Sequence, residues 1–381
     1  MEQIYLDRDW QFNEVFDESM ITSEMSEKNQ VTIPHTVKVT PFHYFNETDY
    51  QMISCYQRQL FIEESYRGQK LFLTFEAVAH ESDVYINGKH LCQHRCGYTA
   101  FTIDITEDVL YGENNLLTVK VNSKESVNQP PFGFVIDYMT YGGIYRNVYL
   151  EVKNPVYCSD VFYKPTFTIA PNTSAISRKQ LLEMQLPGEV VTEMLLSEEA
   201  KKLAQERKLE IRQLLDDKEI SRQPMDISGI TKTLAGNVFL WDIENPVVYQ
   251  MKTELLVDDE VVDFYETLIG FREADFKKDG FYLNGRKVKI RGLNRHQSYA
   301  YVGYAMPESM QRLDARILKK ELGLNAVRTS HYPQSQSFME ECDRLGLLVF
   351  TEMPGWQHIG EADWKDVAVS KVEEMILQYR N

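Results

Sequence analysis

With 381 residues, 43% hydrophobic and 12% aromatic, the chain is too long for one ordinary core and too apolar for disorder, so two or three globular domains are expected. A formal charge of −16 argues against nucleic acid as a partner, since like charges repel. No stretch approaches the roughly 18 uninterrupted apolar residues of a membrane helix and no basic-then-apolar leader opens the chain, so no membrane partner is expected.

Up to about residue 152 the pattern is strands and turns. Leu71-Phe72-Leu73-Thr74-Phe75 is a β run of large apolar residues. Asp83-Val84-Tyr85-Ile86-Asn87-Gly88-Lys89 alternates and then turns at Asn-Gly, the strongest short hairpin signal. Residues 101–105 and 116–121 alternate again, separated by Gly112-Glu113-Asn114-Asn115. Many short strands with turns at intervals of about ten residues predict a β-sandwich jelly roll. The aromatic and acidic loop 41–51 either reaches a site from outside or decorates the surface. Five cysteines, Cys55, Cys92, Cys96, Cys158 and Cys342, are sparse and odd in number, which suits reduced thiols and a cytoplasmic protein. Cys92 and Cys96 lack a partner pair at zinc spacing, so no metal is expected there.

From 153 to 268, strands at 161–169, 250–257 and 261–269 predict an immunoglobulin-like β-sandwich. Residues 197–215, rich in Glu, Lys, Ala, Leu and Arg at helical spacing, read either as an inserted surface helix or as a charged strand pair around Leu209-Glu210-Ile211. After Gly270 the texture changes. A strand is predicted at 287–291, then a helix over 307–322 opened by Pro307 and closed by Gly323. A strand at 325–328, a helix at 335–345 closed by Gly346, a strand at 347–350 and a helix at 365–379 come next. Strands alternating with helices predict βα units around a parallel sheet.

The run Asn325-Ala326-Val327-Arg328-Thr329-Ser330-His331-Tyr332-Pro333, continued by Phe338-Met339, Asp343, Gly346 and the apolar residues 347–350, resembles the first signature of the family 2 glycoside hydrolases. Asn284-Gly285-Arg286-Lys287-Val288-Lys289-Ile290-Arg291-Gly292-Leu293-Asn294-Arg295-His296 looks like the opening strand of that family's catalytic barrel. Tyr141-Gly142-Gly143-Ile144-Tyr145-Arg146-Asn147-Val148-Tyr149-Leu150 is similar to the closing strand of its sugar-binding jelly roll. The resemblance implies a jelly roll over 1–152, an immunoglobulin-like β-sandwich over 153–268, and the first three βα units of a (β/α)8 TIM barrel over 269–381. It also implies a retaining exo-β-glycosidase acting on a β-glycoside or oligosaccharide through two glutamates, a β-galactosidase ahead of a β-glucuronidase. No cofactor is implied.

In that family the acid/base glutamate follows an asparagine at the end of the fourth barrel strand, and the nucleophile comes from the seventh. A whole barrel takes about 250 residues, so the resemblance puts both beyond residue 381. No catalytic residue is therefore expected in this chain, which alone should be inactive and completed by the missing C-terminal barrel segment. Substrate contacts are assigned by resemblance to Asn294, His296, Arg328 and His331, with Glu352 at the exit of strand three and Trp356 on the rim as further candidates. From spacing alone Arg328 and His331 read equally as a buried arginine and a capping histidine, and Trp356 as packing. Arg291 is expected as an internal ion-pair partner. The stretch from Glu352 to His358 departs from the Glu-x-His spacing with which some members hold magnesium, so no metal is assigned. The competing reading is a non-catalytic carbohydrate-binding or oligomer-scaffold module. Three βα units also leave an open parallel edge, which should make 269–381 the least stable part and offers a surface for a homo-oligomer.

Overall fold

The computed structural model describes residues 2–26, 29–43, 46–133, 136–169, 176–355 and 357–381. Period-two alternation gives the N-terminal strands one buried face each, and two antiparallel sheets close over those faces. One sheet runs in the order Glu2–Tyr5, Val148–Lys153, Lys70–Phe75, Phe101–Asp104. The other runs Asn29–Val31, Trp10–Asn13, Ile53–Ile62, Glu113–Asn122, Glu81–Ile86, Lys89–His94. The last hairpin turns through Asn87 (φ 50°) and Gly88 (φ 85°), both left-handed, as a type I′ turn requires. Trp10, Tyr56, Leu73, Phe75 and Val119 fill the space between the sheets. Tyr304 and Tyr332, from the C-terminal third, belong to the same core, so jelly roll and barrel segment share one apolar interior.

The second unit packs a sheet of Cys158–Phe167, Leu186–Leu196 and Ile230–Val238 on one of Lys218–Pro224, Leu209–Leu215, Tyr249–Val257 and Glu260–Ile269. Residues 197–215 turn out to be divided between the two readings. Glu198–Gln205 is a helix whose cap, Ser197, accepts from the Ala200 N–H at 3.1 Å, and it buries Ala200 and Ala204. Leu209–Leu215 is a strand burying Leu209, Ile211, Gln213 and Leu215. The period changes from 3.6 to 2 inside the segment, which is why one pattern did not describe it.

The strand expected at 287–291 breaks in two. Arg286–Val288 ends an antiparallel meander with Ala274–Lys277 and Gly280–Leu283, and Gly292–Asn294 opens the parallel sheet. The Asn325 side chain spans the break, accepting from the Arg291 N–H at 2.7 Å and donating to the Lys289 carbonyl at 3.0 Å. A Cβ on Gly292 would lie 2.7 Å from the Ala326 carbonyl oxygen, so the close approach of the first two barrel strands requires glycine. Arg291 is exposed at this break and has no ion pair among the described residues, contrary to expectation. Its neighbour Arg295 takes the buried role instead, bonded to Asp314 at 2.7 Å.

The helix Glu308–Arg316 runs on as a π turn over Ile317–Glu321. Gln336–Leu345 starts at Ser335 and stops at Gly346 (φ 75°), while Ala362–Tyr379 begins ahead of the expected residue 365. The helices cover Val327 with Ala315, Leu318, Phe338 and Cys342. In the parallel sheet Asn294, Arg328 and Phe350 stand level at the strand ends. Leu293 and Phe350 remain exposed, 53% and 38%, consistent with the apolar edge read from the sequence. No described helix is long and apolar enough to cross a membrane.

The third helix docks on the jelly roll through a polar cluster. His94 Nε2 lies 3.2 Å from Glu374 and 3.3 Å from Lys371 Nζ, Lys371 reaches Glu374 at 2.8 Å, and Thr99 donates to the same carboxylate. Burial alone would raise the Glu374 carboxyl, but hydrogen bonds from His94, Lys371 and Thr99 bring it down to about 2.

Candidate active site

Parallel strands deliver their exit loops to one end of the sheet, and here that end carries the polar residues. Arg328 ends the second strand, and His331 lies one turn further on. Glu352 comes two residues after the third strand, whose Phe350 is level with Arg328. The Arg328 guanidinium donates to Glu352 Oε1, and its Nη2 lies 3.3 Å from His331 Nδ1. His331 Nδ1 is 3.1 Å from Glu352 Oε2. Thus arginine, histidine and carboxylate form one closed triangle.

His296, just past the first strand, joins it from the side. Its ring centroid is 5.5 Å from that of His331, and its Nδ1 is 3.1 Å from the Tyr332 hydroxyl. That hydroxyl accepts from the Gln297 N–H at 3.3 Å, which leaves its own proton for Nδ1 of a neutral imidazole. Burial lowers the His296 pKa below its ordinary value, with neighbouring His331, Arg295 and Arg328 adding to the fall and Asp137 opposing. Burial likewise pushes the Tyr332 phenol up to about 12, so it stays a protonated donor. Asn294 is exposed beside Arg328 on the adjoining strand.

The jelly roll supplies the fourth wall. Tyr138 stands 5.1 Å from the His296 ring and 5.5 Å from the His331 ring, and Tyr98 stacks on Tyr332 at 4.4 Å with an 8° tilt. Sequence reasoning missed Tyr138 and Asp137, although both lie just ahead of the run at 141–150 that carried the jelly-roll resemblance. Thr40, just ahead of the loop 41–51, exchanges backbone hydrogen bonds of 3.2 and 2.8 Å with Tyr301, while residues 44 and 45 of that loop lie outside the described residues. His358 turns away from Glu352, its Nε2 lying 3.2 Å from the Val127 carbonyl. Trp356 lies outside the described residues. The structure therefore gathers Asn294, His296, Arg328, His331 and Glu352 at one mouth. Such a surface combines hydrogen-bond donors and acceptors with aromatic faces, the requirements for holding a small polyhydroxylated ring.

Comparison with known proteins agrees with this layout. Three models of the family 2 glycosyl hydrolases match consecutive stretches: the sugar binding domain at residues 6–155, a model described simply as glycosyl hydrolases family 2 at 180–272, and the TIM barrel domain at 274–376. A β-galactosidase of Thermoanaerobacter pseudethanolicus is 42% identical over 359 residues, 92% of this chain and 46% of that protein. A β-galactosidase of Thermoanaerobacterium thermosulfurigenes is 42% identical over 379 residues, 98% of this chain and 51% of that one. Among solved structures, Bacteroides uniformis β-glucuronidase 2, covalently bound to cyclophellitol-6-carboxylate aziridine, superposes with a TM-score of 0.81 at 25% identity, covering 100% of this chain and 46% of its own. The chain spans about half the length of the curated relatives it matches.

Proposed function

Because the chain belongs to family 2 of the glycosyl hydrolases, we propose that it is the N-terminal portion of a retaining exo-β-glycosidase, a β-galactosidase, whose mouth holds a terminal β-linked sugar. The observation that carries this reading is the convergence of Arg328, His331, Glu352 and His296 with Tyr138 at the ends of parallel strands. Galactose is favoured by the two β-galactosidases at 42% identity. A physical argument points the same way. Arg328, the cation that the barrel strands bring to the mouth, already faces Glu352, which suits a neutral sugar better than the carboxylate of glucuronate. β-Glucuronidase remains the second reading, supported by the fold likeness. A cytoplasmic location goes with the proposal, supported by five unpaired cysteines.

Double displacement needs two carboxyl groups about 5–5.5 Å apart. Among the described residues the carboxyls beside the mouth are Glu352, with both oxygens engaged, and Asp137 of the jelly roll, and the family's two catalytic glutamates come from later barrel strands. The 381-residue polypeptide is therefore expected to bind sugar without cleaving it, and to need the remaining barrel segment as its partner.

Titration calorimetry of this polypeptide with galactose and with glucuronate tests the reading. Galactose should bind, and Glu352→Gln should weaken it about tenfold or more, because a charged hydrogen-bond acceptor and its hold on Arg328 are both lost. Nitrophenyl β-galactoside should hydrolyse at the buffer rate. Absence of binding to either sugar, or turnover stopped by an active-site inhibitor, would count against the proposal.

A further inference from the structure

Arg146 comes just after the short jelly-roll strand Gly143–Ile144, yet its guanidinium ends inside the barrel segment. It is 5% exposed. Nη1 donates to the Tyr98 carbonyl at 3.1 Å, within the jelly roll. Nη2 donates to Gln297 Oε1 at 3.0 Å and to the Pro333 carbonyl at 2.9 Å. Gln297 adjoins His296 on the loop after the first barrel strand. Pro333 is two residues past His331 on the loop after the second.

We propose that Arg146 is a positioning residue: anchored on Tyr98, one guanidinium holds both loops so that His296 and His331 face the same sugar. The inference rests on the mouth being the sugar site. The regular ladder between these strands ends with the Arg295 N–H on the Arg328 carbonyl at 2.8 Å, short of either histidine's loop. Beyond it, the Tyr332 hydroxyl meets the Gln297 N–H and His296 Nδ1, Arg295 donates to Gln334, and Arg146 adds the tie that reaches both loops from the jelly roll. A planar fork meets three acceptors lying in different directions with one rigid group. The compact ammonium of lysine, on a flexible stem, does not reproduce that geometry. Burial makes each of the three acceptors costly to leave alone, which gives the arrangement its rigidity.

Arg146 Nε has no hydrogen-bond partner among the described residues. The residue also lines a polar cavity of about 250 Å³ with Asn147, Glu308, Gln311 and Ser335. A small planar cation can therefore reach the place of a deleted side chain.

The experiment compares Arg146→Lys and Arg146→Ala with the parent 381-residue chain. It reads galactose affinity by calorimetry, the imidazole C2–H resonances of His296 and His331, and Tm. Arg146→Ala should weaken galactose by about tenfold or more, the loss of charge-assisted bonds at one site, and shift both histidine resonances while those of exposed His90 stay. Guanidinium ion at sub-denaturing concentration should restore affinity and resonances, and Arg146→Lys should restore neither fully. If Arg146→Ala does not fold, Arg146→Lys carries the comparison. Unmoved His296 and His331 resonances, or parental affinity in Arg146→Lys, would overturn the proposal. Should the parent bind no sugar, the resonances still decide the role of Arg146, and the sugar-site reading alone has failed.

Discussion

Arg295→Met is expected to destabilise the barrel segment by about 3–5 kcal/mol, the usual cost of removing one partner from a buried charge network. The guanidinium is 6% exposed and meets four groups at once. It bonds Asp314 Oδ2 at 2.9 and 2.7 Å and Gln311 at 2.7 Å, donates to Gln334, and lies 4.2 Å over the Phe338 ring. Methionine keeps the apolar contact with Phe338 but leaves the fully buried Gln334 and Gln311 carbonyls without their donor. Asp314, about one-third exposed, can turn to water, so the loss falls mainly on the glutamines. Because Arg295 sits between Asn294 and His296, sugar affinity should fall together with stability. Urea unfolding, with proteolysis mapped over residues 292–379, measures the first effect. A triple variant, Arg295→Met with Gln311→Leu and Asp314→Ala, should recover only part of the loss, since it removes two of the polar partners and leaves the buried Gln334 carbonyl without its donor. If the single variant unfolds with the parental midpoint, the network is not what holds this unit together.

The second large effect is a pH dependence centred on His80. Its ring is fully buried between Phe132 and Tyr98, at centroid distances of 4.9 and 5.8 Å, and among the described residues neither nitrogen has a hydrogen-bond partner. Burial lowers its pKa to about 3 from an unfolded value of 6.5. The folded state refuses a proton that the unfolded chain accepts, so this contribution is fully present above pH 6.5 and is lost as pH falls toward 3. The full span is on the order of 5 kcal/mol, and about 2 kcal/mol of it should be gone by pH 5. His80→Phe keeps a ring in the site and removes the titration. Overpacking costs that variant about 1–3 kcal/mol at neutral pH, but its stability should decline less on acidification than the parent's. Carboxylates that titrate in the same window, such as Glu76 held up at about 7 by burial and Glu374 held down, act in both proteins and cancel in the difference. Parallel stability curves between pH 7 and 4.5 would show that His80 is not the responsible group.

The legibility of each element and site residue in the sequence depends on how local its signal is. The run from Asn325 to Phe350 carries its own punctuation: a capping Ser335, a stop at Gly346 and apolar strands on either side. All three elements form where that punctuation puts them. Arg328, His331 and Glu352 are likewise legible as candidates, and the structure brings them within hydrogen-bonding distance. The strand at 287–291 fails because its end is set by Gly292 pressing on Ala326, a contact between residues more than thirty positions apart. Arg291 and Arg295 are four residues apart and chemically identical, so only the break between them decides which one is buried.

The amino-acid pattern by itself determined the order of the three units, because alternation, caps and turn residues act within a few positions, and the family resemblance added the strand ends that carry the candidate residues. Tertiary structure decided the rest. Tyr138 against His296, Arg146 across two barrel loops and Glu374 against His94 all join the jelly roll to the barrel. Each is a pairing of groups over a hundred residues apart, and its energy comes from burial and direction in space, quantities that no short window of sequence contains.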